Sequence, residues 1–330
     1  MRLLVASASL ALAAHAAAQT SPMVEQAKRE GEIVWYTSMN AVDAEAVLKP
    51  FRDRYPFVEI SILRATSDRI RSSILAEAAD GRSLWDLVSF RLFDVEMLSR
   101  RGLLAAYRSP ETATGFPPGS FDPEGRWSSI FLREYVVGYN TRLVKPAEAP
   151  KSWEDLLAPR WSGRIGIDDG DVEWYAAMLE YWGRKKGLAY MRQLARQKPQ
   201  RRRGHQLLAQ QLASGEFALA LVYASDIERP RQGAAPLQFV RTLDPTIVSP
   251  TQVAISAKAP HPAGARLFVD FLLSKEGQLA IRSRSRVPVR TDLAPAGSSR
   301  PIHTVRIDPR LAEKRSEYEA EFRRVLDGAR

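Results

Sequence analysis

Along the first hundred residues the apolar positions switch repeatedly between two periods. Residues 23–30 have the spacing of a short amphipathic helix closed by Gly31. Residues 33–36 are a compact apolar run that reads as a strand. Residues 41–55 then set Val42, Val47, Leu48 and Phe51 on a helix, with Pro50 as a kink. Val58, Ile60 and Ile62 alternate, which predicts a second strand over 58–63. Thr66-Ser67-Asp68 supplies N-cap chemistry to a helix through 79 striped by Ile70, Ile74, Leu75 and Ala78, and Gly81 ends it. A third strand over 84–90 and a short helix over 95–101 follow. Strands alternating with helices predict a parallel sheet, whose ligands gather at the carboxyl ends of the strands.

The pattern breaks in a loop rich in Pro, Gly and Asp over 117–127 and resumes at 133–141, REYVVGYNT. The β-branched and aromatic run 135–138 reads as a strand that crosses from one lobe to another, leaving a cleft between them. Beyond it the pattern predicts a short helix at 152–157 and a strand at 164–167 ending in Asp168-Asp169-Gly170-Asp171. Helices follow at 173–183, 187–197 and 206–213, then a buried strand at 218–223 that ends in Tyr223-Ala224-Ser225-Asp226. A further strand lies at 237–241, and 253–256 carries the chain back in a second crossover. Helices at 263–273, with Leu267, Phe268, Phe271 and Leu272 inward, and at 309–326, striped by Leu311, Tyr318, Phe322 and Val325, close the chain. The division expected is a signal peptide over 1–18, the first part of lobe 1 over 19–135, lobe 2 over 136–248, and the completion of lobe 1 with C-terminal helices over 249–330.

A chain of 330 residues suits two cores, since single cores stop growing at about 250–300 residues. The net charge of +10 is scattered apart from Arg201–Arg203, with no nucleic-acid motif, so nucleic acid is not an expected partner. There is no cysteine, which excludes disulfides, thiolate nucleophiles and thiolate metal sites. Met1-Arg2, an apolar stretch over 3–14 and Ala16-Ala17-Ala18 have the form of a cleaved secretory signal, cut after Ala18. The stretch is shorter than the ~20 residues a bilayer span needs, and no Cys follows it for a lipid anchor. The mature chain is expected to be soluble and exported.

The strand-end rule selects candidate chemistry without any knowledge of function. Thr37, Ser38 and Asn40 follow the first strand, Ser67 the second and Ser89 the third, an edge of hydroxyls and helix N–H groups that suits an anion or an oxygen-rich ligand. The alternative is that Thr37 and Ser67 only cap their helices. The far lobe offers Asp169, Arg203 and His205 from the basic run RRRGH, and Tyr223, with Tyr139 at the hinge. Asp169, Asp171, Glu173 and Glu180 have the spacing of a calcium-loop fragment, but Trp174 stands where that loop needs Gly. No nucleophile elbow, zinc-protease pair, P-loop or dinucleotide fingerprint occurs, so an exported hydrolase is a distant alternative and the chain is expected not to be an enzyme.

REYVVGYNTRLV, KSWEDLLAPRWSGRIGIDD, SGEFALALVY and APHPAGARLFVDFLLSKEGQLAIRS resemble, in this order, the bacterial extracellular solute-binding proteins of the ferric-iron-binding type. These are periplasmic receptors of ABC importers, and the resemblance runs over residues 32–293. It implies a type II periplasmic-binding fold: two α/β lobes, each a mostly parallel sheet flanked by helices, closing over a solute by hinge motion. It also implies a monomer that hands its solute to an inner-membrane permease. Iron proteins of the group carry a His soon after the first strand, a Glu downstream and an adjacent Tyr pair late in the second lobe. Here the first loop is Thr37-Ser38-Met39-Asn40, Tyr223 is followed by Ala224, and Tyr36 would serve only if it faced the cleft. Ferric iron needs several anionic oxygens. The expectation is therefore a small, anionic, oxygen-rich solute with no cofactor; the alternative is ferric iron held by Tyr223 and an exogenous anion.

Overall fold

The computed structural model describes residues 21–293 and 304–328; the signal peptide expected over 1–18 lies outside them. The first lobe opens with α1 (Pro22–Glu30), β1 (Glu32–Thr37), α2 (Ala41–Arg54), β2 (Glu59–Arg64), α3 (Ser67–Ala79), β3 (Leu87–Arg91) and α4 (Leu92–Arg100). β1 pairs in parallel with β2 on one side and β3 on the other, as alternating strands and helices require. Thr37, Arg64 and Arg91 end these strands, and Thr37 stands beside both Arg64 and Ser89 in register.

The strand expected at the crossover is longer than its apolar run. It is β4 (Ser128–Asn140), thirteen residues that belong to two sheets. Ser128 to Glu134 pair antiparallel with β9 (Thr246–Ile255), and Tyr135 to Tyr139 pair antiparallel with β7 (Leu219–Tyr223). The switch of partner falls between Glu134 and Tyr135, inside the expected stretch. β9 then pairs with β3, so with β5 (Ile165–Asp168) and β6 (Gln200–Arg202) the main path of the sheet is β2-β1-β3-β9-β4-β7-β5-β6, and three short strands pair off it. The second lobe is built from β5 (Ile165–Asp168), α5 (Val172–Trp182), α6 (Arg184–Arg196), β6 (Gln200–Arg202), α7 (His205–Ser214), β7, α8 (Ala224–Gln232) and β8 (Leu237–Phe239).

Three expectations are corrected. The returning strand was expected over 253–256, but β9 starts at Thr246; Ser249, Pro250, Thr251 and Gln252 hid a strand buried along its whole length. The basic run RRRGH was read with no strand in it, yet β6 pairs with β5 in parallel through Gln200, Arg201 and Arg202. The last helix was expected from 309, but Pro309–Lys314 is a 3-10 turn, and the α-helix is Arg315–Asp327. After α9 (Pro262–Leu273), α10 (Lys275–Arg282) and the short β10 (Val287–Pro288) and β11 (Thr304–Arg306), this last helix, α11, packs on α5 and α6 of the second lobe. Phe51, Phe268 and Phe271 meet edge to face in the first lobe's core, and Trp153 meets Trp174 in the second. No helix among the described residues is long and apolar enough to cross a membrane.

Candidate functional site

Between the lobes lies a cleft with a cavity of about 220 Å³, small for a ligand pocket, since these usually run to about 300–1,000 Å³. Its walls are helix beginnings. Asn40 caps α2, Thr66 caps α3, Gly204 precedes α7 and Tyr223 precedes α8, and all four line the cleft. A helix N-terminus presents N–H groups and the positive end of its dipole. At α7 the cap is a glycine at φ 99°, a conformation that L side chains rarely adopt, so no side chain occupies the first-turn donors. The Gly204 N–H itself is tied to Asp168 Oδ2 at 2.9 Å.

Charge reinforces these dipoles. Among the described residues five guanidinium groups line the cleft, those of Arg64, Arg91, Arg133, Arg203 and Arg286, against three carboxylates, Asp68, Asp168 and Asp226. Arg91 crosses from the first lobe to the Gly170 carbonyl of the second, 2.6 Å away, and also meets Asp68 at 3.2 Å. Arg133, from the middle of β4, donates to Ser249 Oγ at 2.7 Å and to Tyr223 Oη at 3.1 Å, and Glu173 lies 3.4 Å from it. Asp68 is shared among Arg71, Arg91 and Arg315 at 2.9–3.4 Å; burial would raise its carboxyl, but these arginines hold it below the usual carboxylate range. Arg203 of the second lobe is 4.0 Å from that same crowded carboxylate. Arg64 donates to the Met39 carbonyl and has no carboxylate within 4.0 Å among the described residues. Arg64 and Arg203 are thus the cleft cations least neutralised by the protein, one from each lobe.

Tyr223 lies at the floor. Its ring is 3.9 Å from that of His205 and 4.9 Å from that of Tyr135, and the Arg133 guanidinium stands 5.1 Å over its face. Burial drives its phenol far above the ordinary range, with Arg133 only partly opposing, so the side chain is a neutral hydrogen-bonding group. His205 Nε2 is 2.8 Å from Asp171 Oδ1 and 3.7 Å from Asp168 Oδ2. Burial opposes a charge on the imidazole, yet these two carboxylates, with Asp226 beyond, raise its pKa. Burial also raises Asp171. We place the proton on His205, because two carboxylates face it at short range. Among the described residues, Asp168, Asp171 and His205 are the metal-ligating types that come within 4.8 Å of one another. Both Asp168 oxygens already accept backbone N–H groups, from Gly170 at 2.7 Å and from Gly204, and a cation would have to displace the His205 proton.

The structure brings Ser38, Asn40, Ser67, Arg203, His205 and Tyr223 together at the cleft. Thr37 and Ser89 stand behind its wall: Thr37 Oγ1 and Ser89 Oγ are 2.7 Å apart, and Ser89 also accepts from Trp35 Nε1. The strand-end rule reaches both residues, but their hydroxyls are used within the first lobe, by each other, by Trp35 and by the Met39 N–H. Tyr139 is buried in β4 opposite Leu219 and Gln238, away from the cleft lining. Asp169 points to Arg201, 2.5 Å away, and Asn40 lines the cleft with its amide engaged by Asp43. Tyr36 donates to Glu77 at 2.9 Å and is pushed up to about 12 by burial and by that carboxylate, so it faces away. Sequence reasoning missed Arg64, Arg91, Arg133 and Arg286. Arg64 and Arg91 were available to it, since each ends a strand at the cleft edge. Arg133 carried a signal too, a charge at the head of a buried β run.

A two-lobed α/β molecule with its pocket at the strand ends is the architecture of a solute receptor. Residues 93–304 match the family described as bacterial extracellular solute-binding protein. The chain belongs to that family. This solute-binding protein is 26% identical to the major ferric iron-binding protein of Neisseria meningitidis over 288 residues, 82% of this chain and 85% of the relative. Its fold matches that of iron-bound HitA from Pseudomonas aeruginosa with a TM-score of 0.78, at 24% identity, over 89% of this chain and 99% of that one. It matches the periplasmic binding protein AfuA from Actinobacillus pleuropneumoniae, with fructose-6-phosphate bound, with a TM-score of 0.74 at 25% identity, over 90% and 97% of the two chains. The family is one of receptors of extracellular solutes, and the fold expected from the sequence is the one observed.

Proposed function

We propose that this solute-binding protein captures a small, oxygen-rich anion in the interlobe cleft and delivers it, as a periplasmic monomer, to an ABC permease. The observation that carries this is the convergence of four helix N-termini with five guanidinium groups on a cavity holding three carboxylates. Anions are stabilised at helix N-termini and by guanidinium forks; bare cations are not. The bound fructose-6-phosphate of AfuA is an anion of this class. Ser38, Ser67 and Tyr223 supply neutral hydrogen-bonding groups for the solute's other oxygens.

The ferric reading favoured by the Neisseria relative's name meets a specific difficulty. Among the described residues the cleft offers one tyrosine, neutral and hydrogen-bonded to Arg133, and its carboxylates Asp68, Asp168 and Asp226 are already engaged by arginines or backbone N–H groups, where a hard trivalent cation needs several free anionic oxygens. Iron fits this cleft better as an anionic chelate than as a bare ion. Native mass spectrometry of the protein purified gently from periplasm, with metal analysis of the same sample, tests the proposal. Titration with fructose-6-phosphate and with ferric citrate follows. An organic anion without iron supports it, and stoichiometric iron with no accompanying anion overturns it.

A further inference from the structure

Asp43 lies outside the cleft lining, in the first turn of α2, yet it is almost wholly buried and meets three arginines. Two come from the segment after α10, in the same lobe: Arg286, 2.9 Å from Oδ2, and Arg284, 3.3 Å from Oδ1. The third, Arg229, comes from α8 of the opposite lobe, with Nη2 at 3.2 Å from Oδ2. Asn40 Nδ2 also donates to Oδ2 at 2.8 Å. One buried carboxylate needs no third cation for its own stability, since Arg284, Arg286 and Asn40 already satisfy its oxygens.

We propose that Asp43 is the positioning residue that couples lobe closure to the cleft, by holding Arg286 in the cleft wall and taking Arg229 across the interlobe gap when the lobes close. Two features make the contact a reversible one. Arg229 meets Asp43 by charge, and its Nε and Nη2 make no hydrogen bond, so no directed bond has to break on opening. Each side also keeps a partner: Asp43 retains Arg284, Arg286 and Asn40, while Arg229 retains Asp226, 3.7 Å away and three residues earlier on its own helix. Opening therefore strands no buried charge.

The coupling follows from crowding at one oxygen. Arg286 and Arg229 both address Asp43 Oδ2, and Arg286 also lines the cleft beside the Phe131 ring. Closing brings Arg229 against Asp43, an attraction that favours the closed state, and at the same time sets it beside Arg286, a repulsion that offsets part of that gain and raises the positive potential at that corner. An anion bound there relieves the repulsion, and so favours the closed state over the open one. Burial, with Arg286 and Arg284 adding to it, lowers the Arg229 pKa while Asp43 opposes, as this crowding requires.

The absence of cysteine allows a direct test on the solute-free mature protein. Spin labels at Leu84→Cys in the first lobe and Leu143→Cys in the second, both exposed positions, report the interlobe distance by double electron–electron resonance. Asp43→Asn and Arg229→Gln should each raise the open-to-closed ratio by about five- to thirtyfold, the scale of one or two kcal/mol. The double variant should move it no further than the larger single change, and Arg284→Gln, which removes a cation that repels Arg229, should not raise it. Unchanged distances in Arg229→Gln, or additive shifts in the double variant, would overturn the proposal. Arg229→Gln leaves every same-lobe partner of Asp43 in place, so it decides the matter even if Asp43→Asn does not fold.

Discussion

At the scale of single residues, the cleft separates groups that meet solvent from groups that only support them. Tyr223→Phe removes a hydroxyl at the cleft floor and should weaken solute binding by about fivefold, the net worth of a neutral hydrogen bond of ~1 kcal/mol, measured by calorimetric titration. Thr37→Val, one residue from the cleft, should leave affinity unchanged and lower the melting temperature, because Thr37 bonds Ser89 and the Met39 N–H behind the wall. Arg133→Leu should cost about 3–5 kcal/mol in chemical denaturation, since it leaves Glu173 buried without its cation. His205 gives a pH signature. Its folded pKa is raised above the unfolded value of about 6.5, so its contribution to stability is fully present below that value and lost as pH rises through the folded value. His205→Gln should flatten the alkaline side of a stability–pH profile recorded from pH 5 upward. The sequence made six cleft residues legible, because topology alone places strand ends and helix starts at the cleft. It could not show that the hydroxyls of Thr37 and Ser89 are used within the first lobe, since one residue's shift along a strand reverses the face of every side chain.

At the scale of elements, the alternation of strand and helix was readable where apolar periods were clean, as in β1, α3 and β7. It failed where polar residues are buried. Thr251 and Gln252 in β9 sit between β3 and β4, and Ser249 pairs with Arg133 of β4, so the sheet ladder takes up this stretch of backbone whatever its side chains suggest. Arg201 and Arg202 were read with no strand, but β6 is an edge strand, where charged side chains are common. Gly138 shows how tightly β4 is packed in the second lobe. A Cβ there would stand 2.8 Å from Ile227 Cδ1 and 3.0 Å from Leu212 Cδ2. Gly138→Ala should therefore destabilise by about 1–3 kcal/mol through overpacking, read as a lower denaturation midpoint with an unchanged slope.

For the whole molecule, the two lobes share one hydrophobic cluster and are tied by polar contacts outside β4, among them the Phe93 N–H donating to Glu173. Arg91 reaches Gly170, Arg229 reaches Asp43, and α11 lies on the second lobe while Arg315 at its start pairs with Asp68 and Asp94 of the first. The last segment thus touches both lobes; an amphipathic stripe says that a helix docks, not on what. Because the cleft's cations include the exposed Arg203, solute affinity should fall as salt rises from low to physiological strength, a trend titration in graded sodium chloride can read. A neutral solute would show no such slope.

The shared membership of β4 reaches further than the hinge. Two sheets that own one strand in common cannot be parted by cutting the chain: a break anywhere in Ser128–Asn140 takes an interior strand from both at once. Neither half is then an inheritable module. Recombination between relatives should exchange the pair of lobes together or fail, and a protease that nicks β4 should yield fragments that unfold in concert rather than one surviving lobe.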